Sequence, residues 1–134
     1  MDEQYIKQIK RFEGFTPKAK WDFKHWTVGY GTISSKGEVV TEAEADRRLR
    51  VRLALLEGGI DKTFGKLPAG TRAALVSLSH TVGTRWMQGT GLAAAVHSGK
   101  PERIAERFRL YNKAGGTVRA GLVKRRDVEA RWIV

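Results

Sequence analysis

Residues 11–32 read RFEGFTPKAKWDFKHWTVGYGT. Two acids, Glu13 and Asp22, stand nine positions apart among phenylalanines and tryptophans, and two glycines bracket Tyr30 at the far end. The chain changes character inside this stretch. Ahead of it, Ile6, Ile9 and Phe12 recur at helical spacing behind Asp2, a residue suited to cap a helix. Residues 2–12 are therefore expected to be helical, with Gly14 and Pro17 ending the helix. Beyond it, Trp21, Phe23, Trp26, Val28, Tyr30 and Ile33, punctuated by Gly29 and Gly31, predict short strands and tight turns over 18–35. SSKGE at 34–38 is a further turn signal.

The rest of the chain reads as helix. Thr41 and Glu44 form a capping box ahead of an apolar stripe at Leu49, Leu53 and Leu56, which Gly58 and Gly59 are expected to stop. Pro68 suits a first turn, and TRAALVSLSHTV continues as a core helix closed by Gly83. GLAAAVHSGK is a short helix ending at Gly99. PERIAERFRLYNK starts on Pro101 and is expected to end at Gly115 and Gly116, and GLVKRRDVEARWIV forms a last basic amphipathic helix. The predicted class is α+β, mainly helical. One domain over 1–134 is expected: a helix, a small β-rich patch, then about five helices.

Composition narrows the function. The 134 residues suffice for a buried core, and the absence of cysteine excludes disulfides and thiolate zinc sites. The N-terminal MDEQYIKQIKRFEG lacks the apolar run of a secretory signal peptide, and no stretch is apolar enough to span a membrane. A formal net charge of +11 favours polyanionic partners: nucleic acid, anionic lipid surfaces or anionic wall polymers.

Chemistry concentrates at the two acids. Glu13 falls at the C-terminus of the first helix, where the helix dipole disfavours an anion, and Phe12 and Phe15 add desolvation. Both effects raise a carboxyl pKa, which suits a general acid. Asp22 lies in the β-rich patch, followed five positions later by Thr27, and a carboxylate with a hydroxyl can hold a water for attack. Two carboxyls flanking a bond are the minimal set for glycoside hydrolysis, and exposed aromatics stack on sugar faces. From spacing alone, the alternative is a solvated helix-end acid and a turn aspartate.

Helix-end Glu13-Gly14, then Asp22, then TVGYGT at 27–32 resemble the opening motif of the phage-type lysozymes, the endolysins of tailed phages and prophages. The resemblance runs on in order through TEAEADRRL (41–49), ALVSLSHTVG (74–83) and AGGTVRAGLVKRRDVEARW (114–132), so it is collinear over essentially the whole chain. It implies a small hairpin lobe, at about 12–40, and a helical lobe, at about 60–134 with helix 2–12 packed on it, joined by a long helix, with the glycan strand of peptidoglycan in the cleft between the lobes. It also implies hydrolysis of the β-1,4 bond between N-acetylmuramic acid and N-acetylglucosamine. Glu13 would protonate the leaving oxygen, with Asp22 and Thr27 positioning the water, and the anomeric carbon would be inverted. No metal or cofactor is implied. Two departures stand out. DFKHWT at 22–27 is one residue shorter than the turn of the best-known members, which bears on the role of Thr27. HTVG at 80–83 replaces the usual Phe-Asn-x-Gly, placing His80 and Thr81 where an amide faces the cleft.

Gly29, Tyr30, Gly31 and Thr81 are candidate substrate contacts; for the glycines the alternative is a turn requirement, and for Tyr30 it is packing. The resemblance implies that an arginine of the last helix, Arg125 or Arg126, approaches the inter-lobe surface or pairs with Glu13 or Glu129; the alternative is a solvated basic face. His25, His80 and His97 show no metal spacing. The expected partners are peptidoglycan strands and, by charge, the anionic envelope surface, with a monomeric protein made in the bacterial cytoplasm. A holin would release it to the wall in the periplasm, and the outcome would be host lysis. Within wall chemistry the competing readings are a lytic transglycosylase, which needs one Glu and no water-holding Asp, and an inactive wall binder. A basic nucleic-acid-binding domain would rest on charge alone, since the aromatics cluster around acids and no helix-turn-helix signature appears.

Overall fold

The computed structural model describes residues 1–134. Its elements run α1 (Glu3–Glu13), β1 (Thr16–Trp21), β2 (Trp26–Gly29), β3 (Thr32–Ile33), α2 (Glu42–Phe64), α3 (Ala69–Val82), α4 (Gly91–Ser98), α5 (Pro101–Arg109), β4 (Lys113–Ala114), β5 (Thr117–Val118) and α6 (Ala120–Ala130). A 3₁₀ turn, Arg85–Met87, lies between α3 and α4. The architecture is α+β and mainly helical. Residue contacts divide the chain into Met1–Leu56 and Glu57–Val134, so the boundary falls inside α2. The first unit takes in α1, the sheet and the first part of α2.

In the first unit, α1 buries Ile6 and Ile9 on one face. Asp2 holds the N-cap position, but its side chain makes no capping bond; its carbonyl accepts the Tyr5 and Ile6 amides. Gly14 closes the helix by donating its N–H to the Lys10 carbonyl at 2.9 Å. The strands form one antiparallel sheet in the order β1-β2-β3, with a register shift between Thr16 and Lys20. Lys10 pairs with Asp46 and Glu42, while Arg50 bridges Asp46 and Glu3, so α1 and the start of α2 are tied by charge around the apolar seam of Ala45, Leu49 and Leu53. Each fully buried aliphatic side chain stabilises by about 1.5–3 kcal/mol relative to exposure. At the start of α2, Thr41 Oγ1 accepts the Glu44 amide at 3.2 Å. Only that half of the capping box forms, because the Glu44 carboxylate turns to Arg47 and Arg48.

Helix α2 corrects one expectation: it passes through Gly58 and Gly59 and ends at Phe64. Ile60 is completely buried, and Glu57 and Asp61 both hold Arg72 of α3. These commitments on each side of the glycines outweigh a helix penalty of about 1 kcal/mol per glycine.

In the second unit, α3 is buried along most of its length, from Ala73 through Ser79. Helix α4 packs on α5, and α5 on α6. Thr90 caps α4 by accepting the Ala93 amide, and Pro101 opens α5. The Phe64 ring stacks on Trp86 at 5.5 Å and meets His97 at 4.7 Å. Thr71 and Val134 exchange two hydrogen bonds of 3.1 Å, fastening the last residue to α3. Helix α5 stops at Arg109, ahead of the expected Gly115–Gly116 terminus. Those glycines instead have φ of +60° and +79° and make the two-residue turn of the β4–β5 hairpin. Positive φ at both central residues is what such a turn requires. No helix is long and apolar enough to cross a membrane.

Candidate active site

Glu13 is the last residue of α1, and Gly14, at φ of +68°, and Phe15 join it to β1. Asp22 begins the β1–β2 turn. Its N–H donates to the His25 carbonyl at 2.9 Å, and its Oδ1 accepts the amides of Lys24 at 2.8 Å and His25 at 2.7 Å. An aspartate that folds its own turn in this way explains how four residues suffice between the paired Trp21 and Trp26. The backbone N–H groups of His25 and then Lys24 hold the Asp22 carboxyl below its ordinary value, so it is an anion at neutral pH. Oδ2 is left to water. The next residue, Phe23, has φ of +93° and a three-quarters exposed ring. A non-glycine residue there stores about 1–3 kcal/mol of strain. Trp21 is also exposed and meets Trp26 edge-on at 5.8 Å, so bare aromatic surface flanks Asp22 along the chain.

Thr27 lies in the central strand, directly opposite Lys20 on one side and Ile33 on the other. Directly opposite residues share a sheet face, so Lys20, Thr27 and Ile33 form one row. Lys20 and Ile33 were not singled out from the sequence. The signal was present in the register, since centring the first turn on 22–25 pairs 20 with 27, and centring the second on Tyr30 pairs 27 with 33.

Gly29 is shaped by packing: a Cβ added there would sit 2.8 Å from the Ala45 Cβ, and its φ is +66°. Gly31 follows at φ of +82°. Tyr30 between them is 8% exposed. Its hydroxyl donates to Glu42 Oε2 at 3.0 Å, its ring lies 5.1 Å from the Lys10 ammonium, and Phe15 packs beside it at 5.7 Å. Burial, and then the Glu42 carboxylate, push the phenol above its ordinary value. Tyr30 is thus anchored within the first unit.

Thr81, Arg125 and Arg126 meet in the second unit. Glu129, completely buried, accepts from Arg126 Nη1 at 2.7 Å, from Arg125 Nε at 3.3 Å and from Ser77 Oγ. Arg125 also donates to Ser77 Oγ at 3.1 Å, and Arg126 to Thr81 Oγ1 at 3.0 Å with its guanidinium 5.5 Å from the Phe108 ring. Thr81 Oγ1 donates in turn to the Leu78 carbonyl at 2.9 Å, so its hydroxyl hydrogen is already used within α3. Of the expected pairings, the one with Glu129 is formed by both arginines, and neither belongs to a solvated face. Ser77 was not anticipated; a serine within a helix this apolar was the available signal. His25 is exposed in the turn, His80 half-buried on α3, and His97 against Phe64. No group of three or more His, Asp or Glu is placed to hold a metal ion.

A helix-end acid, an aspartate in a self-closed turn and a threonine in the next strand all belong to the first unit. The family model described as phage lysozyme matches residues 10–129, which include all three. The chain belongs to the phage lysozyme family. An endolysin of Bacillus phage B103 is 34% identical over 131 residues, covering 92% of this chain and 50% of that protein. The chain thus spans about half the length of the curated relatives it matches. Among solved structures, an endolysin from Escherichia coli O157:H7 phage FAHEc1 superposes with a TM-score of 0.84 at 25% identity, covering 99% of this chain and 92% of that one. The muramidase domain of SpmX from Asticaccaulis excentricus gives 0.88 at 24% identity, with 99% and 96% covered, and speaks for the lysozyme fold. The family match spans residues of both units, from Glu13 on α1 to Glu129 on α6.

Proposed function

We propose that this phage lysozyme hydrolyses the β-1,4 bond between N-acetylmuramic acid and N-acetylglucosamine in peptidoglycan. The observation that carries the reading is the Asp22 carboxylate, pinned through Oδ1 by two backbone amides and open at Oδ2. A pinned anion with one free oxygen is suited to hold a water and to take its proton. In the proposed step Glu13 gives its proton to the glycosidic oxygen as the C1–O bond breaks. A water held by Asp22 and Thr27 attacks C1 from the opposite face and passes its proton to Asp22. The product is a reducing muramic end of inverted configuration. Exposed Trp21 and Phe23 supply stacking surface for sugar rings beside the aspartate.

The test is digestion of purified peptidoglycan by the wild type beside Glu13→Gln, with mass spectrometry of the fragments. Water-added reducing ends from the wild type and none from the variant are expected. Anhydro-muramic ends would replace this reading with a transglycosylase. No release by either well-folded protein would leave a wall binder.

A further inference from the structure

The second unit holds a groove that the glycosidase chemistry does not use. It lies between α4 and α5, has a volume of about 280 Å³, and is lined by Gly91, Ala94, Ala95, Arg103, Glu106 and Arg107. Arg103 and Arg107 stand four apart on α5, so they project from one side of the helix. Neither is drawn into an ion pair, whereas Arg109 of the same helix is held by Asp127 at 3.2 Å. Arg107 lies close over the first residue of α4: a Cβ at Gly91 would come within 3.3 Å of its Cδ, Nε and Cζ. The missing side chain at Gly91 and the short ones at Ala94 and Ala95 leave room for the guanidinium and for a ligand above them. A guanidinium settled against backbone has less rotamer freedom to lose on binding.

We propose that this groove binds a phosphoryl group carried on a small polyol, of which glycerol phosphate is the simplest case. Two guanidinium forks match the oxygens of a phosphoryl anion, each by paired N–H donors. Glu106, the one acid in the lining, is an acceptor for polyol hydroxyls. The volume suits a phosphoryl group with a few carbons, not a duplex backbone. Anionic polymers and lipids built on glycerol phosphate both present this group. The proposal is independent of the glycosidase reading.

The experiment is calorimetric titration of the full chain, at low salt, with sn-glycerol 3-phosphate and with inorganic phosphate. Saturable binding in the millimolar range is expected. Arg103→Gln or Arg107→Gln should each weaken it about tenfold. Lys124→Gln, an equal loss of charge at an exposed site outside the lining, should leave it unchanged. Glu106→Ala should tighten inorganic phosphate while erasing the preference for the glycerol ester. No saturable binding, or equal weakening by Lys124→Gln, would overturn the proposal. A second arm uses phosphatidylglycerol vesicles. Adsorption to vesicles without binding of the soluble ester would also overturn it, as general attraction to a charged surface. Digestion of polymer-free peptidoglycan by the double arginine variant should match wild type, which separates failure here from failure of the proposed catalysis.

Discussion

Glu129 to Gln is the substitution on which the second unit's energetics turn. Glu129 is 0% exposed and Arg126 1%, so the carboxylate and its guanidinium are both out of water. Gln keeps the volume and one carbonyl acceptor. It removes the charge shared by Arg125 and Arg126, and it turns one oxygen into an NH₂ that must face either a guanidinium or the Ser77 hydroxyl. Removing one partner of a buried ion pair costs about 3–5 kcal/mol. That is a large share of the roughly 5–15 kcal/mol by which a domain is stable. At about 3–4 °C per kcal/mol for a chain of this size, Tm should fall by roughly 9–20 °C. Urea unfolding followed by circular dichroism would give the free energy, with an unchanged m-value showing that the same surface unfolds. The triple variant Arg125→Met, Arg126→Leu, Glu129→Leu removes the charges together and should recover most of the loss. A Glu129→Gln protein within about 1 kcal/mol of wild type, at unchanged m, would refute the reasoning.

Three further outcomes are expected. Gly29→Ala places a Cβ 2.8 Å from the Ala45 Cβ at a φ of +66°, and should lose at least about 2 kcal/mol in urea unfolding, partly restored by Ala45→Gly. Arg48, with Ser34, holds Glu38 down to about 2, and Arg47, with Arg48, holds Glu44 down to about 2, against an ordinary 4.5. Folded values below the unfolded one mean that this stabilisation is complete above pH 4.5 and lost as pH falls towards 2, so the unfolding midpoint should drop across that window, with a shallower slope in Arg48→Met. Asp22→Asn can keep both turn hydrogen bonds through its carbonyl while losing the anion, so peptidoglycan digestion should fall at least about a hundredfold with Tm nearly unchanged.

Much of this molecule is decided by short-range pattern. Ile6 and Ile9 at helical spacing, the glycine after Glu13, Thr41 ahead of Glu44, and the aromatic and β-branched residues punctuated by glycines from Trp21 to Gly31 each act through neighbours a few positions away. Helix, turn and strand therefore follow from them with little help from the rest of the chain. The family follows for a related reason: Glu13-Gly14, Asp22, Thr27 and the Gly-Leu-Val-Lys-Arg-Arg run keep their order and spacing whatever the packing.

What needed the tertiary structure was every choice in which a local preference met a distant partner. Gly58 and Gly59 look like a helix stop until Ile60 is buried and Arg72 takes Glu57 and Asp61. Gly115 and Gly116 look like a helix end until strands on both sides pair. Gly29 is small because Ala45, sixteen positions on, arrives within contact of it. Arg125 and Arg126 look like a solvated face until Glu129 draws them into the interior with Ser77 and Thr81. Spacing along the chain determines which torsions are easy; burial and charge pairing depend on the residues that meet in space, and that the fold alone decided.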